Sequence, residues 1–393
     1  MSPPIFFVCR INTNAPNKAT FSEKLCEDYP MVKNLDPFIG PNTSPLPAYY
    51  TLPRLVEDCP YEPTRCNPDI EHRVARQCET WFLGYANYDS EHTARLMGLK
   101  AGELTSACYP IADEFHLRTV ADYLTWLFQM DDWTDDYGKS ETEAMKNDCM
   151  GAMRDPLGWK TEMRGGSMVK DYTARLAQTA GPGCLNRFIE NMELFFKAVV
   201  SQANDRSNNK IPTLEEYIDI RRDTSGCKPC FQLAEFVGRF DLPQEVVENE
   251  RIMRMEQSTN DLVTWSNDIF SYDKEQIRDD KHSMIPITMH HYGLGLQEAI
   301  EFVGAMCKRS VDNFVHDRTL LMKEKEGVWS KDVMAMVKEY ALGLEHWISG
   351  SLHWSFETQR YFGTNGQEVK RHKIVNLSPK FPSTEKTSHN LPN

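Results

Sequence analysis

The chain has 393 residues, of which 26% are charged and 40% hydrophobic, and its formal net charge is −13. The acidic balance argues against a nucleic-acid partner and against an anionic membrane surface, because both are recognised by clusters of Lys and Arg. No stretch approaches the ~20 continuous apolar residues of a membrane span, and the first ten residues lack the features of a signal peptide. Eleven scattered cysteines suit a reducing compartment, so we expect a cytoplasmic protein.

The first 50 residues differ in composition from the rest of the chain. They are rich in Pro, Asn and Ser, with four prolines between Pro37 and Pro47. Residues 1–50 are therefore predicted to be a poorly ordered extension or, alternatively, a strap laid over the body.

From about Asp69 the apolar residues recur at helical spacing, and no strand-like alternation or repeat of 20–50 residues interrupts the pattern. Thr213 and Glu216 form a capping-box start for one helix, which is then broken near Gly226. After Gly366 the chain becomes basic and contains Pro and Ser. We predict a single all-α domain over residues 51–365 and a disordered tail over 366–393. The predicted helices lie at 71–88, 92–107, 115–130, 185–202, 213–222, 244–274, 296–319 and 330–349.

Four carboxylates stand together in the stretch 131–136, directly after an apolar run. On a helix, Asp131 and Asp135 continue the apolar face that includes Phe128. Two inward carboxylates ~6 Å apart repel by roughly 3 kcal/mol at an effective dielectric near 20, which predicts a cation between them. Asp132 lies ~100° round the helix and is expected to be a helper. A solvated acidic helix end is the simpler alternative.

A second oxygen-rich pattern lies far downstream. Asn267, Ser271 and Glu275 are separated by steps of four, so they occupy three consecutive turns of one helix face. Sites in which the protein supplies only a few ligands, all of them oxygen atoms, suit Mg²⁺, because this ion takes its remaining ligands from water and phosphate. An ordinary amphipathic helix would show a similar polar stripe. Together with the first cluster, the pattern predicts metal ions between two helices and a phosphate ester as ligand.

Arginines that could bind such an ester are present as well. Arg221-Arg222 lies at the predicted helix break and Arg360-Tyr361 follows an aromatic stretch, and arginine offers a fork of donors that matches phosphate oxygens. Surface charge is the alternative interpretation of each pair. A calcium-binding loop starting at Asp132 is a rival interpretation, but Tyr137 stands where that loop needs Gly.

With these motifs in this order, the chain resembles the class I terpene synthases, most closely those of basidiomycete fungi that cyclise farnesyl diphosphate. The stretch 131–135 matches the aspartate-rich motif DDxxD of that family, and 267–275 matches its second metal motif. Arg360-Tyr361 matches a late Arg-Tyr pair, and Lys274 a basic residue beside the metal-binding glutamate. The resemblance covers about residues 50 to 365.

Arg221 lies 46 residues before Asn267, which is where the family places a diphosphate-sensing arginine. Arg222 fits that role better when judged from Gly226 at the helix break, so the choice stays open.

The resemblance implies a helical bundle with a central cavity and a carbon–oxygen lyase that uses three Mg²⁺ ions, for which Mn²⁺ can substitute. The implied substrate is (2E,6E)-farnesyl diphosphate. Its ionisation releases diphosphate, and the resulting carbocation is cyclised to a sesquiterpene. Geranyl and geranylgeranyl diphosphate stay alternative substrates. A chain-elongating prenyl diphosphate synthase is the nearest rival, and it would want a second aspartate-rich motif in place of Asn267 and Ser271. A monomer or homodimer is expected. The implied metal ligands are Asp131, Asp132, Asp135, Asn267, Ser271 and Glu275; the implied diphosphate-binding residues are Arg221, Arg222, Lys274, Arg360 and Tyr361; and Asp131, Arg221, Arg360 and Tyr361 are implied to be catalytic.

Overall fold

A computed structural model describes residues 21–36, 40–135, 137–208 and 210–379, apart from the side chain of Asp135. The prediction of an all-α fold is confirmed, since the two short strands of this part of the chain comprise three residues each. Two 3-10 turns, Pro30–Asn34 and Gly363–Asn365, accompany the helices. The elements are α1 Glu23–Asp28, β1 Tyr49–Thr51, α2 Pro68–Tyr85, α3 Ser90–Leu99, α4 Ala101–Cys108, α5 Glu114–Asp135, α6 Lys139–Arg154, α7 Arg164–Thr179, α8 Pro182–Ser207, α9 Leu214–Thr224, α10 Cys227–Gly238, α11 Gln244–Val247, α12 Glu250–Ile277, α13 Met284–Tyr292, α14 Leu296–Lys325, α15 Lys331–Trp354, α16 Gln359–Phe362, α17 Gly366–His372 and β2 Ile374–Asn376.

Helix α12 is central to the bundle. Asn249 caps its first turn by accepting a hydrogen bond from the Arg251 amide. Its apolar stripe, which includes Trp265 and Ile269, is fully buried, and the helix packs along α14 and against α15. Because one face of α12 is used by the core, its polar stripe is left to face the space enclosed by the other helices.

The predicted helix break lies between α9 and α10. The capping box of Thr213 and Glu216 starts α9 as expected. Gly226 then adopts a left-handed conformation with φ of +66°, which favours glycine. A Cβ at this position would lie 2.9 Å from Cδ2 of Leu127 on α5, so a larger residue would also have to displace the end of the Leu127 side chain.

The N-terminal region differs from the expected poorly ordered extension. Residues 21–36 include α1 and a 3-10 turn, and Leu25, Tyr29 and Val32 are buried against the body. These apolar residues recur at helical spacing inside a segment whose average composition is polar. The average composition therefore gave no indication of a buried face. Residues 21–36 therefore lie against the body as in the strap alternative, whereas most residues of 41–49 are exposed. Residues 1–20 and 37–39 lie outside the described residues.

The start of the C-terminal tail also differs from the predicted disorder. Helix α17 is followed by β2, which pairs antiparallel with β1 so that Val375 lies opposite Tyr50, and both residues are buried. The partner strand is distant in sequence, and local composition carries no sign of it. Residues 380–393 lie outside the described residues. The domain boundaries at residues 50 and 365 stay a prediction.

Within the described ranges, none of the helices combines the length and the apolar character that crossing a membrane requires.

Candidate active site

A cavity of about 830 Å³ lies between α5, α8, the α9–α10 break, α12, α15 and α16. One part of its wall is polar and charged, and the remainder is apolar and aromatic. The polar part is formed by Asp131, Arg221, Asn267, Asp268, Ser271, Lys274, Glu275, Arg360 and Tyr361, and the apolar part by Leu104, Leu124, Leu127, Phe128, Phe195, Val263, Trp347 and Trp354. Two motifs separated by more than 130 residues in sequence are thus brought to one cavity.

The end of α5 supplies Asp131 and Asp132, and both are bound by Arg360 of α16. Nη2 of Arg360 lies 3.1 Å from Oδ2 of Asp131, and Nη1 lies 3.1 Å from Oδ1 of Asp132. Partial burial works to raise the pKa of Asp132, but the charges of Arg360 and Lys274 hold this pKa below its usual value. Asp131 lines the cavity whereas Asp132 does not, although the side chain of Asp131 is 53% exposed and that of Asp132 40%. The cavity lining therefore agrees with their predicted positions on the helix, and the burial does not. The side chain of Asp135 is not described, so its role stays a prediction.

Helix α12 places Asn267, Ser271 and Glu275 on the cavity. Oγ of Ser271 donates a hydrogen bond of 2.8 Å to the carbonyl oxygen of Asn267 one turn earlier. Oε2 of Glu275 is buried and has no hydrogen-bond partner within the described part of the chain. Burial, reinforced by the charge of Asp268, raises the pKa of Glu275 to about 7. The charge of neighbouring Lys274 favours the carboxylate form but only partly offsets the effect of burial.

The two adjacent arginines of α9 point to different places. Arg221 lines the cavity, and its Nη2 donates to Oδ1 of Asn267 at 2.9 Å and to Oδ1 of Asp268 at 3.1 Å. Arg222 does not line the cavity and instead forms a two-pronged ion pair with Asp261, with distances of 2.8 and 2.7 Å. Neighbouring residues of a helix are ~100° apart, and the ion pair with Asp261 holds Arg222 on the side of α9 that does not line the cavity. The structure therefore places Arg221 at the cavity. The position of Gly226 in the sequence had favoured Arg222 instead.

Asp268 is a part of the site that the sequence reasoning missed. Its carboxylate is buried and accepts hydrogen bonds from Tyr217 at 2.6 Å, from Arg221, and from the backbone amide of Met284 at 2.9 Å. It therefore ties α9 and the start of α13 to the metal-motif helix. The only signal was its place beside Asn267, and an acidic neighbour within a polar stripe has no distinctive spacing.

The remaining predicted residues also meet at the cavity. Nδ2 of Asn267 donates to the hydroxyl of Tyr361 at 2.7 Å, so the Arg-Tyr pair is joined to both metal motifs. Burial, and then the charge of Arg360, lower the pKa of Lys274. Four more cationic residues line the same cavity and were not predicted: Arg206, Lys210, Arg278 and Lys281.

Aromatic rings form much of the apolar wall. The rings of Phe128 and Trp354 lie 5.4 Å apart, and the guanidinium of Arg360 lies 5.3 Å from the centre of the Phe128 ring. The junction between the charged and the apolar wall therefore lies beside Phe128, one turn before Asp131.

The donor set fits a hard divalent cation. It consists of a carboxylate, a hydroxyl and an amide oxygen on α12, with Asp131 on α5. One oxygen of the α12 carboxylate is buried and has no partner among the residues that the structure describes. No three His, Cys, Asp or Glu side chains of the described ranges are grouped closely enough to hold a metal ion by themselves. A cation here would thus need oxygen ligands from water or from a bound anion, as Mg²⁺ does in phosphate sites.

Comparison with known proteins is consistent with this geometry. A family profile described as terpene synthase family 2, C-terminal metal binding, matches residues 122–313. Sesquiterpene synthase Agr1 of Cyclocybe aegerita is 43% identical over 331 residues, which is 84% of this chain and 93% of that protein. Sesquiterpene synthase 1 of Postia placenta is 43% identical over 341 residues, 87% of this chain and 98% of that protein.

Solved structures agree in fold. Linalool/nerolidol synthase from Streptomyces clavuligerus gives a TM-score of 0.68 at 21% identity, covering 75% of this chain and 99% of its own. Germacradien-4-ol synthase from Streptomyces citricolor gives 0.67 at 22% identity, covering 75% and 96%. The predicted helical architecture of the class I synthases is therefore confirmed.

Proposed function

Because the chain belongs to the terpene synthase family, we propose that it is a sesquiterpene synthase acting on (2E,6E)-farnesyl diphosphate. It ionises this substrate with the help of Mg²⁺, cyclises the resulting carbocation and releases diphosphate. The observation that carries the proposal is one cavity of about 830 Å³ with a charged, oxygen-lined part and an apolar, aromatic part. A prenyl diphosphate has the same division between a charged head and an apolar chain.

Asp131, Asp135, Asn267, Ser271 and Glu275 would hold the metal ions, with Asp132 as a helper. Three Mg²⁺ are expected, and Mn²⁺ can replace them. Bound metal would act as a Lewis acid on the diphosphate oxygens and make diphosphate a better leaving group.

The side chains of the protein orient the diphosphate and stabilise its growing charge. Arg221, Lys274, Arg360 and Tyr361 all line the charged wall and offer donors to phosphate oxygens. In this proposal Arg221 is the diphosphate-sensing residue, because Arg222 is engaged by Asp261 outside the cavity.

The apolar wall serves the second half of the reaction. Closely packed rings such as Phe128 and Trp354 exclude water that would quench an allylic cation, and their π faces attract positive charge. The cavity contour thereby selects among the possible ring closures.

Incubation of the purified protein with Mg²⁺ and farnesyl diphosphate tests the proposal. We expect a cyclic C15 hydrocarbon or alcohol by gas chromatography and no product when the metal is chelated. Parallel incubations with geranyl and geranylgeranyl diphosphate show whether C15 is preferred. Folded protein that leaves the substrate unreacted, or that forms a longer prenyl diphosphate when isopentenyl diphosphate is added, would contradict it. Light scattering on the same sample checks the predicted monomer or homodimer.

A further inference from the structure

The N-terminal strap, defined as residues 21–36, inserts one aromatic side chain into the body. Tyr29 is 1% exposed, and its ring packs edge-on against Trp265 of α12 with the ring centres 4.8 Å apart. Its hydroxyl donates to Oδ2 of Asp261 at 2.8 Å and lies 3.1 Å from Oγ of Ser310 on α14. The strap therefore reaches a buried carboxylate of the same helix that carries the second metal motif.

That carboxylate is shared with Arg222. Asp261 is fully buried and accepts from Nε of Arg222 through Oδ1 and from Nη2 through Oδ2. A buried ion pair keeps a fixed geometry only when its remaining hydrogen-bonding positions are also satisfied. Tyr29 supplies a further donor to Oδ2, so the orientation of Asp261, and with it that of Arg222, depends on the strap.

The Asp261–Arg222 pair holds the helix break against α12. Beside it, Nδ2 of Asn260 donates to the carbonyl oxygen of Arg222 at 2.7 Å, and Oγ of Ser225 donates to Oδ1 of Asn260 at 2.9 Å. The break residues 224–226 form part of the cavity wall. Arg221, directly before Arg222, reaches Asn267 from this fixed backbone.

We propose that Tyr29 is a positioning residue for the diphosphate end of the cavity. Through Asp261 and Arg222 it fixes the backbone that presents Arg221, so a segment outside the helical bundle sets the affinity for the charged part of the substrate. The inference rests on the proposed function, since it takes diphosphate to be the ligand of Arg221.

Other contacts keep the strap in place without the Tyr29 hydroxyl. The carbonyl oxygen of Asp28 accepts from Nε of Arg309 at 3.1 Å and from Nδ2 of Asn313 at 3.3 Å, and its carboxylate lies 3.3 Å from Nη2 of Arg254. Removing the hydroxyl alone therefore leaves the strap docked and the Trp265 contact intact.

The experiment compares Tyr29→Phe with Tyr172→Phe in the full-length protein. Tyr172 is a matched control, because it is also buried but its hydroxyl has no hydrogen-bond partner in the described ranges and it does not line the cavity. The probe is inorganic diphosphate with saturating Mg²⁺, titrated by calorimetry. We expect the Kd to rise about three- to tenfold in Tyr29→Phe and to change less than about twofold in Tyr172→Phe. The KM for farnesyl diphosphate should rise in parallel.

A second variant separates the proposed route from a general loss of structure. Because the route runs through Arg222, the effect of Tyr29→Phe on the Kd should shrink in an Arg222→Lys background. The inference is overturned if Tyr29→Phe binds diphosphate as tightly as the control, or if its effect persists in full beside Arg222→Lys. A wild-type protein that neither binds diphosphate nor converts farnesyl diphosphate would overturn the proposed function itself, and this inference with it.

Discussion

The two ends of α12 carry partly buried carboxyl groups with similar electrostatics and different surroundings. Burial is the main cause that raises the pKa of both Glu256 and Glu275 to about 7, and they lie about 28 Å apart along the helix axis. Glu256 accepts a hydrogen bond from the Tyr340 hydroxyl and does not line the cavity. Glu275 lines the cavity, and its buried Oε2 has no partner in the described part of the chain.

The comparison shows that a raised carboxyl pKa does not by itself mark a functional site. At the Glu256 end, Oε2 of nearby Glu235 is bound by Arg187 at 2.6 Å and by the Leu242 amide at 2.6 Å. Oε1 of Glu235 is buried without a partner among the described residues, but Glu235 does not line the cavity. At the Glu275 end, an oxygen atom is left for a ligand from outside. The unsatisfied atom together with the cavity, rather than the pKa shift, distinguishes the site.

The same isosteric change at both ends of α12 should have very different effects on turnover. Glu275→Gln removes a proposed metal-binding charge, so we expect turnover of farnesyl diphosphate to fall by about 100-fold or more. Glu256→Gln keeps the oxygen that accepts from Tyr340, and turnover should stay within about twofold of wild type. Steady-state kinetics with farnesyl diphosphate measures both. Equal activities of the two variants would show that the ends of α12 do not differ in function.

The end of α5 carries two carboxylates that we expect to differ in the same way. Asp131 lines the cavity. Asp132 is bound by Arg360 but does not itself line the cavity. We expect Asp131→Asn to reduce turnover about 30-fold and Asp132→Asn to reduce it about threefold, because only the former removes a proposed direct ligand. The Mg²⁺ concentration for half-maximal activity should rise more in Asp131→Asn. A larger loss in Asp132→Asn would reverse the assignment of these two residues.

The smallest effect on turnover, and a distinct one on stability, is expected from Glu256. Its carboxyl has a pKa of about 7 when folded and 4.5 as the ordinary value. Between pH 4.5 and 7 the unfolded chain loses this proton before the folded chain does, so the free energy of unfolding falls as the pH rises, by at most about 3 kcal/mol.

Glu256→Gln cannot titrate, so its stability relative to wild type should increase from pH 4.5 to 8. Chemical denaturation of both proteins across that range measures the difference. A difference that is constant with pH would mean that Glu256 titrates normally in the folded protein.

Much of the site could be read from sequence because its motifs are local. The spacing of Asn267, Ser271 and Glu275 fixes them on one face of any helix, and the apolar residues around them fix which face is inward. For the same reason the position of Asp131 on the inward face was predictable.

What the sequence left open depends on contacts between distant segments. Whether Arg221 or Arg222 reaches the cavity is decided by the orientation of α9 against α12, and Asp268 becomes an anchor only when Tyr217 and Met284 arrive beside it. Tyr29 meets Asp261 across more than 230 residues of sequence. Local composition instead predicted disorder at both ends of the chain.

The pairing of β1 with β2 has a consequence for how the chain is made. Tyr50 and Val375 pair across roughly 325 residues, and a ribosome adds about 5–20 residues per second. The N-terminal strand therefore emerges roughly 15–65 s before its partner. The aromatic side chain of Tyr50 can dock before β2 appears, because it packs against Tyr272 and donates a hydrogen bond to the carbonyl oxygen of Ile269, both on α12. The backbone pairing of β1 with β2 can form only after Val375 has been synthesised, so it follows the docking of Tyr50 on α12 as a separate, later step of folding.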